Sequence, residues 1–170
     1  MIHGPDGKKL SKRHGATAVG DYQHMGILPD AMLNFLALLG WSPGGDIEVM
    51  SVPQMVELFS TDGLSKKAAI FDMTKLEWMN GQHLSMSRTE DLAPRLIPLI
   101  LSAGLATEAE LAARRDWFFQ LVDLLKVRGR TLDDIVRQAT PYFSETVDYD
   151  AEAVAKGWKD REAAQTILSA

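Results

Sequence analysis

Apolar residues recur along this chain at the three- and four-residue spacing of helices, and no window sustains the alternation of a half-buried strand. A short helix is expected over Ala18 to Met25, closed by Gly26 as a left-handed C-terminal cap. Pro29 opens the next, whose Ala31, Met32, Leu33, Phe35, Leu36, Leu38 and Leu39 surround the axis almost completely, so it is expected at the centre of a core. Ser51 with Gln54 forms a capping-box pattern ahead of a helix over Pro53 to Phe59, and Leu64 to Phe71 reads as loop. Asp72 can cap a helix carrying Leu76 and Met79, with Asn80-Gly81 as its stop.

A second capping box, Ser87 with Glu90, precedes a helix that Pro94 and Pro98 are expected to kink or break before Gly104. A third, Thr107 with Glu110, starts the longest expected helix, Glu108 to Val127. Thr131 begins another through Val136, with Pro141 ending it, and the acidic remainder is again helical in pattern. The chain therefore reads as all-α. Its expected division lies near Leu84 to Ser87, giving segments 1–84 and 85–170. A helical pattern that runs to Ala170 without a cap leads us to expect a truncated second bundle.

Composition narrows the function. In 170 residues there are no cysteines, which excludes disulfide frameworks, thiol nucleophiles and cysteine metal sites and fits a reducing, cytoplasmic location. The longest uncharged stretch, Ala31 to Gly45, is interrupted by Asn34, Pro43 and glycines and falls short of the roughly 20 apolar residues of a membrane span. The first residues have no apolar run of the kind a signal peptide needs. With a formal charge of -5, attraction to nucleic acid must come from local patches.

The sharpest such patch is Lys8-Lys9-Leu10-Ser11-Lys12-Arg13-His14-Gly15, after the turn signal Gly4-Pro5-Asp6-Gly7. Ammonium groups flanking a hydroxyl on a glycine-bounded loop suit a polyphosphate, an RNA backbone or plain solvation, and composition leaves these open. The spacing of a Walker loop is absent. Arg114, Arg115, Lys126, Arg128 and Arg130 form a weaker basic set, diluted by Asp116 and Asp123. Trp41, Trp78, Trp117 and Trp158 suit core packing better than base stacking, and Asp133-Asp134 suit a first helical turn. His3, His24 and His83 lack metal-ligand spacing, so no metal site is expected, and nothing near His14 fixes a role for it.

The order of residues adds more. Lys9-Leu10-Ser11-Lys12-Arg13 resembles the Lys-Met-Ser-Lys-Ser signature loop of class I aminoacyl-tRNA synthetases, and the fuller stretch Asp6 to Thr17 is similar to its form in bacterial glutamyl-tRNA synthetases. So are Leu28 to Pro43, Ala69 to Asn80 and, less sharply, Arg128 to Ile135. The resemblance implies a tRNA-binding C-terminal part of a ligase: signature loop and helical stem-contact segment over 1–84, then a helical anticodon-binding region over 85–170. It implies catalytic roles for Lys9, Ser11 and Lys12, with Lys9, Lys12 and Arg13 toward ATP, and places the nucleotide-binding catalytic half before Met1. Glutamine-specific relatives carry anticodon-binding β-barrels, which this pattern does not suggest. Implied partners are tRNA, ATP with magnesium, and glutamate, for a monomer without membrane contact. The competing expectation is a non-catalytic helical RNA-binding or adaptor module. The isolated chain is expected to lack ligase activity.

Overall fold

A computed structural model describes residues 2–11, 18–144 and 151–157. In chain order the elements are β1 (Ile2–His3), α1 (Val19–His24), α2 (Pro29–Gly40), α3 (Val52–Leu58), a 3₁₀ turn (Thr61–Gly63), β2 (Ala69–Ile70), α4 (Met73–Met86), α5 (Thr89–Ser102), α6 (Glu108–Ala113), α7 (Arg115–Lys126), α8 (Leu132–Phe143) and α9 (Ala151–Gly157). The expected all-α class holds with one small addition. β1 and β2 pair in parallel, with Ile2 opposite Ala69 and His3 opposite Ile70. Two-residue strands are too short to impose an alternating pattern, so β2 lay hidden in the expected loop. The chain forms two compact units, residues 1–140 and 141–170.

In the first unit, α2 packs on α4, α3 and β2, and α5 packs on α7. Tyr22, Ile27, Met32, Phe35, Phe71, Leu76 and Met79 form one apolar cluster, and Trp41, Met50 and Met55 a second. Phe35 meets Phe71 edge to face at 4.9 Å between ring centres, the arrangement favoured by ring quadrupoles. α2 is not enclosed on all sides: Ala31, Met32, Asn34 and Phe35 are buried, whereas Leu33 and Leu36 are exposed. In the second unit, α9 carries a Lys156–Glu152 ion pair at 2.6 Å.

Several helix boundaries differ from the sequence expectation for identifiable reasons. α4 runs through Asn80-Gly81 to Met86. Asn80 is fully buried: its Oδ1 accepts from the Leu28 N–H at 2.7 Å, and its Nδ2 donates to the Gly26 and Arg130 carbonyls at 3.2 and 2.6 Å. Gly81 is small because a Cβ there would come within 3.2 Å of the Gly129 carbonyl oxygen. The pair that looked like a stop is a crossing point. Gly26 does close α1, at φ +71, with Gly26 N–H bonded to Gln23 and Ile27 N–H to Tyr22. A Cβ at Gly26 would also lie 2.7 Å from the Leu132 nitrogen, so its absence serves both the turn and the approach.

The boxes at Ser51–Gln54 and Thr107–Glu110 form, and Thr107 holds the Glu110 carboxyl below the usual carboxylate range by hydrogen bonding. The box at Ser87–Glu90 does not. Ser87 instead caps the end of α4, donating from Oγ to the His83 carbonyl at 2.7 Å, and Arg88 takes the N-cap of α5. α5 accommodates Pro94 and Pro98 on its exposed side, where carbonyls deprived of their N–H partners can turn to water. The long helix expected to Val127 breaks at Arg114, whose φ of -116° and ψ of 33° separate α6 from α7. α8 carries Pro141 internally and ends at Phe143.

Asn34 organises a second buried polar group. Its Oδ1 accepts from the Met50 N–H at 2.8 Å and its Nδ2 donates to the Glu48 carbonyl at 3.1 Å, which fixes the amide orientation. His83 Nε2 lies 3.0 Å from the same Oδ1, so it carries the proton and donates. Burial pushes the His83 pKa down, and the Asp30 carboxylate draws it partly back.

Asn80→Ala would strand the Leu28 N–H and the Arg130 carbonyl, while the Gly26 carbonyl keeps the Leu132 N–H, and at about 1–3 kcal/mol per unsatisfied group it should cost roughly 2 kcal/mol or more, read as a lower urea midpoint. For His83 the folded pKa lies below the unfolded one, so the unfolded chain binds more protons in mild acid. Its stabilising contribution is complete above the ordinary histidine value of about 6.5 and is lost as pH falls through that value toward the lower folded one. The urea midpoint should therefore drop between about pH 7 and pH 5.5, and His83→Gln, which keeps a donor to Asn34, should flatten that limb. An unchanged slope in the variant would contradict the assignment.

Candidate functional site

The basic loop found in the sequence begins as a tight turn. Gly7 adopts φ +74, the Gly7 N–H bonds the Gly4 carbonyl at 3.0 Å, Lys8 N–H bonds Asp6 Oδ1 at 3.0 Å, and Gly4 N–H bonds the Lys8 carbonyl at 2.8 Å. The reversal brings Lys9 opposite His3 in antiparallel pairing, and the Leu10 N–H bonds the Ile2 carbonyl at 3.0 Å. On the other side of β1, the Phe71 N–H bonds the His3 carbonyl at 2.8 Å. The loop is thereby hydrogen-bonded through β1 to the segment that leads into α4.

Side-chain alternation sets its chemistry. Leu10 is half-buried and packs against the Tyr22–Phe35–Phe71 cluster, while Lys9 and Ser11 on either side are exposed. One leucine anchored in the core thus turns an ammonium and a hydroxyl outward together. Lys8 is exposed as well, and neither Lys8 nor Lys9 has a carboxylate partner among the described residues. Lys12, Arg13 and His14 lie outside the described residues.

The second basic set divides on inspection. Arg114 stacks over Trp117, with Cζ 3.8 Å from the ring centre, and Arg115 over Phe119 at 4.2 Å, so both exposed guanidinium groups rest on aromatic faces. Arg114 also helps hold the Glu110 carboxyl low. Lys126 faces inward: its side chain is only 15% exposed, and its ammonium donates to the Ser87 carbonyl at 3.0 Å and pairs with Asp123 at 2.7 Å. Hydrogen bonds from Lys126 and Thr89 hold the Asp123 carboxyl below its ordinary range. Lys126 therefore ties α7 to the α4–α5 junction.

Arg128 and Arg130 are exposed on the turn between α7 and α8, the turn that Asn80 grips through the Arg130 carbonyl. Asp133 and Asp134 occupy the first turn of α8, as their spacing suggested, and Asp134 accepts from the Arg130 N–H and pairs with Arg137 at 2.6 Å. Trp41 is buried with its Nε1 donating to the Ser60 carbonyl at 3.1 Å, Trp78 is 38% exposed, and Trp158 lies outside the described residues. Among the described residues no group of three or more histidines and carboxylates is placed to hold a metal ion, and no helix is long and apolar enough to cross a membrane.

The sequence reading missed a third basic pair. Lys66 and Lys67 are exposed just ahead of β2, without ion-pair partners among the described residues. Two adjacent lysines are a common solvated pattern, and only the pairing of β2 with β1 brings them beside the loop.

Residues 1–78 match the family model described as the catalytic domain of class I tRNA synthetases (E and Q), and residues 90–170 match an anticodon binding domain. The chain is 40% identical over 154 residues to the glutamate–tRNA ligase of Natranaerobius thermophilus, covering 91% of this chain and 32% of that one. It is 40% identical over 169 residues to glutamate–tRNA ligase 1 of Syntrophomonas wolfei, covering 99% and 33%. The crystal structure of a glutamate tRNA ligase from Elizabethkingia meningosepticum superposes with a TM-score of 0.77 at 27% identity, over 97% of this chain and 35% of that one. The chain spans about a third of the length of the curated relatives it matches.

The anchoring of the loop yields a prediction. Leu10→Ala removes a half-buried apolar contact and should cost about 1–2 kcal/mol, below the 2–5 kcal/mol typical of a fully buried leucine. Hydrogen exchange at Leu10 and Phe71 should rise more than at the buried centre of α4. Equal acceleration everywhere would show that Leu10 serves the core as a whole and not the loop.

Proposed function

We propose that this chain, which belongs to the glutamate–tRNA ligase family of class I aminoacyl-tRNA synthetases, is the tRNA-facing part of an enzyme that activates glutamate with ATP and transfers it to the 3′ end of its tRNA. The observation that carries the reading is the outward presentation of Lys9 and Ser11 by the core-anchored Leu10, within the stretch that resembles the family's signature loop. ATP, with magnesium, supplies the phosphoanhydride whose cleavage drives activation. The glutamate carboxylate attacks the α-phosphorus, pyrophosphate departs, and negative charge grows on the leaving group. Lys9, which has no carboxylate partner among the described residues, fits the task of meeting that charge. Lys12 takes the second lysine of the motif by resemblance, with Ser11 and Arg13 beside it.

In this reading residues 1–84 form the stem-contact part and 85–170 the anticodon-binding region, with the division at the α4–α5 junction that Ser87 caps and Lys126 braces. Of the basic set read from the sequence, Arg114, Arg115, Arg128 and Arg130 are exposed toward an RNA backbone, whereas Lys126 is turned inward onto the Ser87 carbonyl. The enzyme would work as a cytoplasmic monomer.

The test uses a ligase that contains this chain. Lys12→Ala or Lys9→Ala should slow glutamate-dependent pyrophosphate exchange by on the order of 10²-fold, while tRNA affinity changes little, because a preorganised charge contact acts chiefly on the transition state. The 170-residue chain alone should give no exchange. Unaltered exchange in both variants would refute the assigned roles and favour a non-catalytic RNA-binding module.

A further inference from the structure

We propose that Lys66 and Lys67 form a phosphate-contact site of their own, taking the backbone of an RNA strand that also passes the Lys8–Ser11 edge. The inference rests on the RNA-facing reading above and adds to it a site outside the signature loop. Register places the two clusters. β1 and β2 run parallel with Ile2 opposite Ala69, while Lys9 lies opposite His3 in the antiparallel sense. The chain therefore leaves the ribbon through Ser11 at the same end at which Lys67 and Ala68 enter it. With neighbouring strands about 4.8 Å apart, these flanks are two spacings, or roughly 10 Å, from each other.

The segment carrying the lysines is held firmly. Ser65 N–H bonds the Gly40 carbonyl at 2.8 Å, Ser42 N–H bonds the Gly63 carbonyl at 3.0 Å, and Trp41 bridges Leu64, so residues 63–65 are fastened to the end of α2. A Cβ at Gly63 would meet the Ser42 carbonyl oxygen at 2.3 Å, which shows how closely the two segments approach. Ser65 Oγ then accepts from the Lys67 N–H at 3.2 Å, forming a turn that presents both ammonium groups to solvent. Beside them lies a cavity of about 370 Å³ lined by Ser42, Ser65, Lys67 and Lys75 over Leu38 and Leu39.

Charge favours a polyanion here. From Gly63 to Phe71 there is no acidic residue, although the whole chain carries -5. Of the acids flanking the segment, Asp72 caps α4 through the Thr74 N–H at 2.8 Å and Glu48 pairs with Lys75, which leaves Asp62, four residues before Lys66, as a single exposed carboxylate against two lysines. A lysine pair is a point-charge reader without the planar fork of arginine, so the contact would follow phosphates and not bases. Lys8 and Lys9 lie toward the His3 end of the ribbon and Lys66 and Lys67 beyond its Ile2 end, so the two cationic clusters are separated by more than the roughly 10 Å of two strand spacings, which suits a polymer with phosphates along its length better than one compact polyphosphate.

The experiment titrates the purified 170-residue chain with fluorescently labelled tRNA by anisotropy at several salt concentrations, in parallel with sodium tripolyphosphate. At about 0.9 per neutralised phosphate, the Lys66→Ala, Lys67→Ala double variant should have a log–log salt slope shallower by about 2, with tripolyphosphate affinity unchanged and the Lys66→Arg, Lys67→Arg pair restoring the slope. Acetylation footprinting of the unsubstituted chain, which is independent of how the variants fold, should show both lysines protected by tRNA. An unchanged slope with unprotected lysines, while the parent chain still binds tRNA, overturns this site and leaves the RNA-facing reading intact. Loss of tripolyphosphate affinity alone overturns the RNA assignment in favour of a free polyphosphate. A parent chain that binds tRNA without salt dependence overturns both.

Discussion

The hydrogen bonds of Asn80 hold together segments fifty or more residues apart in sequence. From the middle of α4 its amide satisfies the Leu28 N–H and the carbonyls of Gly26 and Arg130, all at the crossing of the α1–α2 and α7–α8 turns. No apolar side chain could serve here, because the Leu28 N–H and the Arg130 carbonyl would then lose the partner that Asn80 gives them. The crossing also demands small residues: Gly26 against Leu132, and Gly81 against Gly129. One amide and a few missing methyl groups thus join the N-terminal half of the unit to the α7–α8 turn, whose arginines face solvent.

α4 is consequently the element around which the site is arranged. Its start is fixed by Asp72 and, just before that, by β2, whose pairing with β1 places the basic loop. Its middle carries Asn80, and one turn later His83 meets Asn34 of α2. Its end is capped by Ser87, whose carbonyl takes the Lys126 ammonium from α7. A disturbance along this helix would reach both the Lys9–Ser11 edge and the Arg128–Arg130 turn, since each is attached to it by hydrogen bonds and not by sequence proximity.

The cations sort by the same logic. Among the described residues Lys75, Lys126, Arg88 and Arg137 are matched to carboxylates, whereas Lys8, Lys9, Lys66 and Lys67 are not, and these four flank one short ribbon. In an acidic chain, attraction to a polyanion depends on such local excess and not on the net field. Arg114 and Arg115 reach a similar state by another route, their guanidinium planes laid on Trp117 and Phe119.

The sequence by itself determined the helical class, the capping boxes at Ser51 and Thr107, the Gly26 cap and the basic loop with its Lys-Leu-Ser order, because each depends on residues within one or two turns of one another. Tertiary structure decided the rest. Asn80-Gly81 carries the letters of a helix stop, and only the arrival of Gly26 and Arg130 makes it a crossing; Lys126 looks like a surface cation until Ser87 and Asp123 enclose it. The same holds for Lys66 and Lys67, which gain a place beside the loop through a strand pair of two residues each. Local pattern encodes what a segment can form, but which backbone groups are left to be satisfied, and by which distant side chain, is set only when the segments meet.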